Sequence, residues 1–263
     1  RVYRDVGAVG SAFRVEALAA RDSAAKSALA RRILVYVGGK PNAAEARQSL
    51  DVLAQLGVTL TREETLVAAR AEADNGSASR AVDGFARAAV AGALSARDQY
   101  LYAGALATAG RSAEAARQYA RVAGDAGLVP RAAYQRARAL LQAGDGSGAR
   151  AALRATAATH AKVSTAAAPA LLLLADLQVD DGDISGAARS LAQLGRLYPN
   201  ASQAPLARFR AGLIAWERSA TAAAAMFDTL VTRYPRNEEA IAAKYWAGRA
   251  YARAGRNTDA ERR

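Results

Sequence analysis

Apolar side chains recur along most of the chain at the three- and four-residue spacing of an amphipathic helix. The pattern is clear between residues 23 and 37, where Ala25, Leu29, Ile33 and Tyr36 follow one another by about one turn. Short segments with Gly, Asn or Pro separate the helical stretches, and these residues favour turns. No stretch shows the period-two alternation of a half-buried strand. The pattern therefore predicts a mostly helical chain.

The predicted turns follow one another at intervals of 34 to 38 residues. The turn positions are Pro41, Gly76, Gly110, Gly144, Gly182, Arg218/Ser219 and Gly255. A small residue precedes most turns by seven positions, at Ala69, Ala103, Ala137, Ala175, Gly212 and Gly248. An alanine follows each turn by five positions, at Ala46, Ala81, Ala115, Ala149, Ala187, Ala223 and Ala260. Four positions further on is a large apolar residue, at Leu50, Phe85, Tyr119, Leu153, Leu191 and Phe227.

A repeated helical hairpin of about 36 residues has the length of a tetratricopeptide repeat. Two antiparallel helices approach closely only where neither carries a bulky side chain, so the small residues mark the crossing and the large residue fills the groove between neighbouring hairpins. A single hairpin cannot bury its apolar stripe, so hairpins stack. The predicted fold class is all-α, an α-solenoid (α-α superhelix) of about six to seven tetratricopeptide-like hairpins. It extends over residues 23–263 with the last hairpin truncated, after a poorly defined N-terminal segment at residues 1–22.

Local signals predict several helix ends. Thr61 with Glu64, and Asn42 with Glu45, have the spacing of a capping box at the start of a helix. Residues 166–179 and 184–197 form the predicted fifth hairpin, which the pair Tyr198-Pro199 closes because proline cannot continue a helix.

The chain has 263 residues, no cysteine and a formal net charge of +12, carried mainly by arginine. A basic chain attracts polyanions such as nucleic acid, anionic lipid or acidic glycan-peptide polymers. The absence of cysteine excludes disulfides and Cys-ligated metal sites. The longest strongly apolar run, Ala166 to Ala175, is too short to span a membrane. The chain begins at Arg1 without an initiator Met, so we expect a piece of a longer protein.

The C-terminal part contains the sequences FRAGLIAWE, TLVTRYP and KYWAGRAYARAG. These resemble the superhelical domain that precedes the catalytic domain in soluble lytic murein transglycosylases. The resemblance is specific for about residues 195–262 and is carried by Arg210, Gly212, Trp216, Phe227, Tyr234, Pro235, Tyr245, Trp246, Arg249 and Ala250. The Tyr-Pro closures also resemble the repeats of periplasmic cell-division coordinators and outer-membrane assembly lipoproteins.

The resemblance implies a bacterial protein of the periplasm or cell envelope that takes part in peptidoglycan turnover. Enzymes of that family cleave glycan strands with a Glu in a Glu-Ser dipeptide of a lysozyme-like domain. This chain has no Glu-Ser dipeptide, so we expect it to lack the catalytic domain and to carry no catalytic residues. It would act as a scaffold that guides peptidoglycan strands to the missing C-terminal domain.

In tetratricopeptide packing, the first helix of each hairpin lines the concave face at positions thirteen, ten and six before the turn. A candidate binding stripe at these positions consists of Arg70, Arg97, Tyr100, Arg131, Tyr134, Arg138, Tyr245 and Arg249. Arginine forms bidentate pairs with carboxylates and stacks on rings, so the stripe suits acidic peptides or sugar faces. The alternative is a solvated arginine-rich surface with packed tyrosines, which Leu172 and Asp176 favour because they interrupt the stripe.

Other motifs have structural explanations, and we expect no cofactor or metal. The run Asp181 to Gly186 resembles a calcium loop but has Ala192 where a Glu ligand is required, which favours turn capping. His160 has no second His or Cys partner. Trp216 and Trp246 are expected in the core.

Three functions remain open at this stage. The first is the non-catalytic scaffold of a lytic transglycosylase. The second is a tetratricopeptide adaptor that holds a partner protein or peptide in its concave groove. The third, nucleic-acid binding, is supported by charge alone and lacks a recognition motif.

Overall fold

A computed structural model describes residues 8–39 and 43–263 of the chain. In this part the chain forms fifteen helices and no strand. The helices of the N-terminal half are α1 (Val9–Ala19), α2 (Ser23–Gly38), α3 (Ala43–Leu56), α4 (Arg62–Asn75), α5 (Ala78–Val90), α6 (Ala96–Thr108), α7 (Ser112–Tyr119) and α8 (Leu128–Gln142). The remaining helices are α9 (Gly146–Thr159), α10 (Ser164–Asp180), α11 (Ile184–Leu197), α12 (Ala204–Arg218), α13 (Ala220–Arg233), α14 (Glu238–Arg253) and α15 (Asn257–Glu261). The predicted turn at Pro41 and the capping residue Asn42 lie outside the described residues.

The chain divides into two compact units, Arg1–Gly144 and Asp145–Arg263. In the first unit, α2 with α3, α4 with α5 and α6 with α7 form helical hairpins. In the second unit, the hairpins are α10 with α11, α12 with α13 and α14 with α15. These hairpins confirm the predicted fold class: an all-α, tetratricopeptide-like α-solenoid. The single repeat domain from residue 23 onwards stays a prediction.

Glycine determines the turns between the two helices of most hairpins. Gly110, Gly182 and Gly255 have φ between 74° and 78°, a conformation that disfavours residues with a Cβ atom. Gly144, which follows α8, has the same conformation with φ 83°. Gly76 ends α4 for another reason. A Cβ atom there would lie 1.9 Å from Oε2 of Glu72, the atom that accepts a hydrogen bond from the Ser77 backbone N–H at 2.7 Å.

Most of the repeated alanines lie on buried helix faces. Six of them are completely buried, namely Ala46, Ala81, Ala115, Ala149, Ala187 and Ala223. The large apolar residue one turn later packs against the small residue of its own hairpin: a Cβ atom on Gly212 would lie 2.5 Å from the Phe227 ring. The large residue also reaches the next hairpin, since the Phe85 and Tyr102 rings lie 5.8 Å apart. Both contacts explain why this position is large.

The Tyr-Pro pairs connect consecutive hairpins. Tyr198 follows α11, and its hydroxyl donates to the Ala161 carbonyl oxygen at 2.7 Å. Tyr234 follows α13, and its hydroxyl donates to the Pro199 carbonyl oxygen at 2.5 Å. The tyrosine thus bonds to the loop that precedes its own hairpin, in addition to the helix termination predicted from the proline.

The predicted cap at Thr61 is confirmed. Its side chain accepts from the Glu64 backbone N–H, and the Glu64 carboxylate accepts from the Thr61 N–H at 2.9 Å. Glu45, the described half of the other expected capping box, accepts a hydrogen bond from the Gly10 N–H at 2.6 Å. None of the helices in the described ranges is long and apolar enough to cross a lipid bilayer.

Candidate functional site

Tyrosine and arginine side chains of the candidate stripe gather where α6 packs beside α8 in the first unit. The rings of Tyr100 on α6 and Tyr119 on α7 meet edge to face, with centroids 5.5 Å apart. Tyr134 and Arg138 lie one turn apart on α8. The structure therefore brings Tyr100 and Arg138 to the buried Tyr119, and Tyr134 lies one turn before Arg138 on α8.

Beside these rings is an open groove of about 350 Å³, which we call the tyrosine groove. Small residues of α6 form one wall, and polar side chains of α8 form the other. The lining residues are Gly104, Ala107, Thr108, Tyr119, Gln135, Arg138, Ala139 and Gln142. The Arg138 guanidinium is exposed and donates to Oε1 of Gln135 at 3.3 Å. A ligand can thus approach the backbone of α6 closely, beside Arg138, which retains free N–H donors.

The tyrosines of the groove stay protonated at neutral pH. Burial raises the pKa of Tyr119 to about 12, helped by Tyr100 and opposed by the positive charge of Arg138. Burial also raises the pKa of Tyr134, again opposed by Arg138. The phenolic hydroxyls therefore remain neutral, and Arg138 supplies the positive charge beside them.

Arg70 is held by an internal partner. Its Nε and Nη2 donate to the two carboxylate oxygens of Asp98 at 2.6 and 2.7 Å, and the Asp98 side chain is only 2% exposed. Ser95 Oγ donates to the same carboxylate at 2.8 Å. Burial opposes the charge of Asp98, but these hydrogen bonds hold its pKa below the usual value. Arg70 thus links α4 to α6, whereas Arg97 and Arg131 are exposed.

The two stripe residues of the second unit belong to a cluster of rings and guanidiniums. Tyr245 is 61% exposed, and its ring meets that of Trp246 edge to face, with centroids 6.0 Å apart. The guanidinium carbon of Arg249 lies 5.2 Å from the Trp246 ring centroid, 5.6 Å from that of Trp216 and 5.8 Å from that of Tyr245. Arg253 lies over Trp216 at 4.8 Å.

Two features of this cluster differ from the prediction. Arg253 lies four residues after Arg249 on α14, so helical spacing was the signal that could have added it. Trp216 was assigned to the core, but it and Trp246 are half-buried at the edge of the core formed with Phe227. Each indole has one side in the core and another in contact with arginine.

Of the two residues that interrupt the stripe, Asp176 has a partner on another helix. Asp176 on α10 accepts a hydrogen bond from Arg210 on α12. This pair lies at an apolar groove of about 380 Å³ that Val179, Leu213 and Ile214 help to line.

The motifs with structural explanations are caps. Asp183 accepts from the Gly186 N–H at 2.7 Å, as predicted for a turn cap. His160 ends α9. In the described residues no group of His, Asp and Glu side chains has the arrangement of a metal site.

The chain is similar to solved structures of tetratricopeptide-like proteins. Pseudomonas aeruginosa pilF is 17% identical with a TM-score of 0.49, over 80% of this chain and 95% of that chain. A putative kinesin light chain of Podosopora anserina with nearly identical TPR-like repeats is 16% identical with a TM-score of 0.45, over 63% of this chain and 89% of that chain. Rap protein complexed with competence and sporulation factor is 14% identical with a TM-score of 0.42, over 92% of this chain and 73% of that chain.

The fold is a tetratricopeptide-like helical repeat. The repeated register of small, large and turn residues in the packed hairpins establishes this fold. No protein-family model matches the chain. A comparison with curated proteins finds no match.

Proposed function

We propose that the chain is a protein-interaction scaffold and that the tyrosine groove binds an acidic segment of a partner protein. The observation that carries the proposal is the exposed Arg138 beside Tyr119 in an open groove with small residues on one wall. Tetratricopeptide-like hairpins hold these side chains on packed helices, so the groove exists before a partner arrives. A preformed site lowers the entropy cost of binding.

The chemistry of the groove favours an acidic peptide. Arg131 lies two turns before Arg138 on α8, and both guanidiniums are exposed. Each can form a bidentate pair with a carboxylate. Gly104 and Ala107 carry almost no side chain, so a peptide backbone can approach α6 closely. Arg70 is excluded from this role because Asp98 already occupies two of its donors.

A peptide-display selection against the whole chain tests the proposal. We expect the selected peptides to be enriched in Asp and Glu. Synthetic copies should bind the chain in fluorescence anisotropy, and the double variant Arg131→Glu/Arg138→Glu should weaken binding by about a hundredfold, because it replaces two attractive pairs with two repulsive ones.

The matched control is Arg117→Glu/Arg121→Glu, which makes the same charge change at exposed positions at and after the end of α7. The control variant should bind within about threefold of the unchanged chain, because exposed charges away from a site act weakly. Equal losses in both variants would point to net charge alone and contradict the groove.

The transglycosylase scaffold remains a second proposal, with its periplasmic or envelope location. It is supported by the resemblance of residues 195–262 alone. Packing accounts for many of the resembling residues: Gly212 accommodates Phe227, and Tyr234 bonds to Pro199. If the proposal is right, the chain sediments with purified peptidoglycan and Arg131→Glu/Arg138→Glu abolishes the binding. Unchanged sedimentation of that variant contradicts it.

A further inference from the structure

The outer face of α14 carries large apolar side chains that the second unit leaves uncovered. Ile241 is 78% exposed and Tyr245 is 61% exposed, one turn apart on the same helix. Arg249 follows one turn later and is also exposed. Single exposed apolar residues are common, but two adjacent ones in line with an arginine form a surface with both apolar and cationic contacts.

Arg249 also belongs to a cluster with Trp216, Trp246 and Arg253, which we call the arginine-indole cluster. The two indole rings meet edge to face at 5.5 Å. Arg249 lies within 6 Å of three aromatic rings. Arg253 lies over Trp216 and donates to its backbone carbonyl oxygen at 3.1 Å. Stacking on rigid rings limits the rotamers of both arginines, which reduces the entropy that they lose on binding a ligand.

The guanidiniums of the cluster are not neutralised within the described part of the chain. Their contacts are with aromatic rings and one carbonyl oxygen, and no carboxylate there forms an ion pair with either. The carboxylates of α14, Glu238 and Glu239, lie in its first turn, about 15 Å along the axis from Arg249.

We propose that this face of α14 is a second binding site, for an extended peptide with a large apolar residue and an acidic residue. The apolar side chain packs on Ile241 and Tyr245, and the carboxylate pairs with Arg249 and Arg253. This inference rests on the proposed function of the chain as an interaction scaffold, but it concerns a different surface.

The geometry of α14 determines the spacing of the peptide motif. Ile241 and Arg249 are eight residues apart, which corresponds to about 12 Å along a helix axis. An extended peptide advances about 3.3 Å per residue and its side chains alternate between two faces, so the apolar and acidic residues of the ligand are four positions apart and point to the same face. A peptide with the two residues adjacent cannot reach both ends of the site.

Binding of short fluorescent peptides to the whole chain tests this site. The probes are peptides with Leu and Glu four positions apart, the same peptides with Lys in place of Glu, and peptides with Leu and Glu adjacent. We expect the first set to bind at least tenfold more tightly than the other two. Equal affinity of the three sets overturns the proposal, because neither charge nor spacing would then matter.

Variants assign the binding to named residues. Arg249→Gln/Arg253→Gln should weaken the Leu-Glu peptide at least tenfold, and Tyr245→Ala should weaken it severalfold. The matched control Arg189→Gln/Arg196→Gln removes two exposed charges from α11 of the same unit and should bind as the unchanged chain does. If the control loses as much affinity as the cluster variant, the site is overturned. Far-UV circular dichroism checks that each variant is folded, because Arg249, Arg253 and Tyr245 contact the tryptophans and their replacement changes the fluorescence directly.

The same peptide-binding assay tests the α14 site independently of the tyrosine groove. Arg131→Glu/Arg138→Glu should leave Leu-Glu peptide binding unchanged, because Arg138 lines the tyrosine groove and Arg131 lies two turns before it on α8, in the other unit. If Arg131→Glu/Arg138→Glu abolishes Leu-Glu peptide binding and Arg249→Gln/Arg253→Gln does not, the proposed α14 site is wrong and the tyrosine groove is supported. A single-stranded oligonucleotide that binds the cluster in place of the peptides also overturns the proposal, since stacking and charge would then serve a nucleic acid.

Discussion

The hydroxyl of Tyr234 donates a hydrogen bond to the carbonyl oxygen of Pro199 at 2.5 Å, between the ends of two successive hairpins. Both groups are partly buried, so removing the donor leaves a carbonyl oxygen without a replacement partner. We expect Tyr234→Phe to lower the free energy of unfolding of the second unit by about 1 kcal/mol. Urea unfolding followed by tryptophan fluorescence measures this change, because Trp216 and Trp246 both lie in that unit.

Tyr245→Phe is the control for that experiment. Its ring packs on Trp246, and it is mostly exposed. Removing its hydroxyl should change the unfolding free energy by less than about 0.5 kcal/mol. If the two variants are equally stable, the Tyr234 hydrogen bond contributes nothing to the connection between hairpins.

Gly212 and Gly248 occupy the same position in successive hairpins, yet their surroundings predict opposite effects of a methyl group. A Cβ atom on Gly212 would lie 2.5 Å from the completely buried Phe227 ring. We expect Gly212→Ala to destabilise the second unit by about 1–3 kcal/mol through overpacking.

A Cβ atom on Gly248 would approach no atom closer than 3.5 Å. Since glycine weakens a helix interior, Gly248→Ala should stabilise the unit by about 0.5–1 kcal/mol. Urea unfolding by tryptophan fluorescence compares the two. A loss of stability in both would show that the repeat position, and not the Phe227 contact, requires glycine.

The Arg70–Asp98 pair predicts a strong effect in the first unit. Asp98→Asn leaves Arg70 without its anionic partner and weakens the bond from Ser95. Breaking a buried pair costs about 3–5 kcal/mol, but Arg70 is 41% exposed, so we expect about 2–3 kcal/mol. Far-UV circular dichroism follows the unfolding of both units, whereas tryptophan fluorescence follows only the second. The part of the dichroism change that has no counterpart in the fluorescence therefore reports the first unit. The control Asp83→Asn, on the exposed face of α5, should change little; equal losses would contradict the role of the pair.

The same carboxylate makes the stability of the first unit depend on acid. The folded pKa of Asp98 lies below the ordinary value of 3.8 because hydrogen bonds from Arg70 and Ser95 outweigh burial. A lowered folded pKa gives stability that is present above pH 3.8 and is lost as the pH falls through the folded pKa. Glu64 also has a lowered pKa through its bond to the Thr61 N–H.

Unfolding measured at several pH values below 5 should therefore show a steeper loss for the unchanged chain than for Asp98→Asn. Glu64 is present in both proteins and contributes equally, so the difference in slope belongs to Asp98. Parallel slopes would mean that the Asp98 pKa is the same in the folded and unfolded chain.

The repeat was predictable because each hairpin needs the same few residues at the same places. Ala81, Ala115 and Ala187 are fully buried on the second helices of their hairpins, and glycines such as Gly110 take a conformation that other residues disfavour. Such local requirements recur at a constant interval, so the sequence alone reveals them. The division of the chain at Gly144 was not predictable, since that turn resembles those at Gly110 and Gly182.

The candidate site was predictable in position but not in partners. Helical spacing placed Arg70 and Arg138 on the first helices of their hairpins. Helical spacing does not show that Arg70 pairs with Asp98 of the next hairpin, whereas Arg138 is exposed. The Arg70–Asp98 contact depends on how two hairpins stack. The hydrogen bond of Tyr234 was missed for the same reason. Contacts within a hairpin follow from the pattern, and contacts between hairpins require coordinates.

Hydrogen exchange of the whole chain with and without a selected acidic peptide tests the central claim most directly. If the tyrosine groove binds the peptide, backbone amides of α6 and α8 around Tyr100 and Arg138 exchange more slowly in its presence, and Arg131→Glu/Arg138→Glu removes the effect. Unchanged exchange in both helices, under conditions where the peptide is bound, would contradict the account.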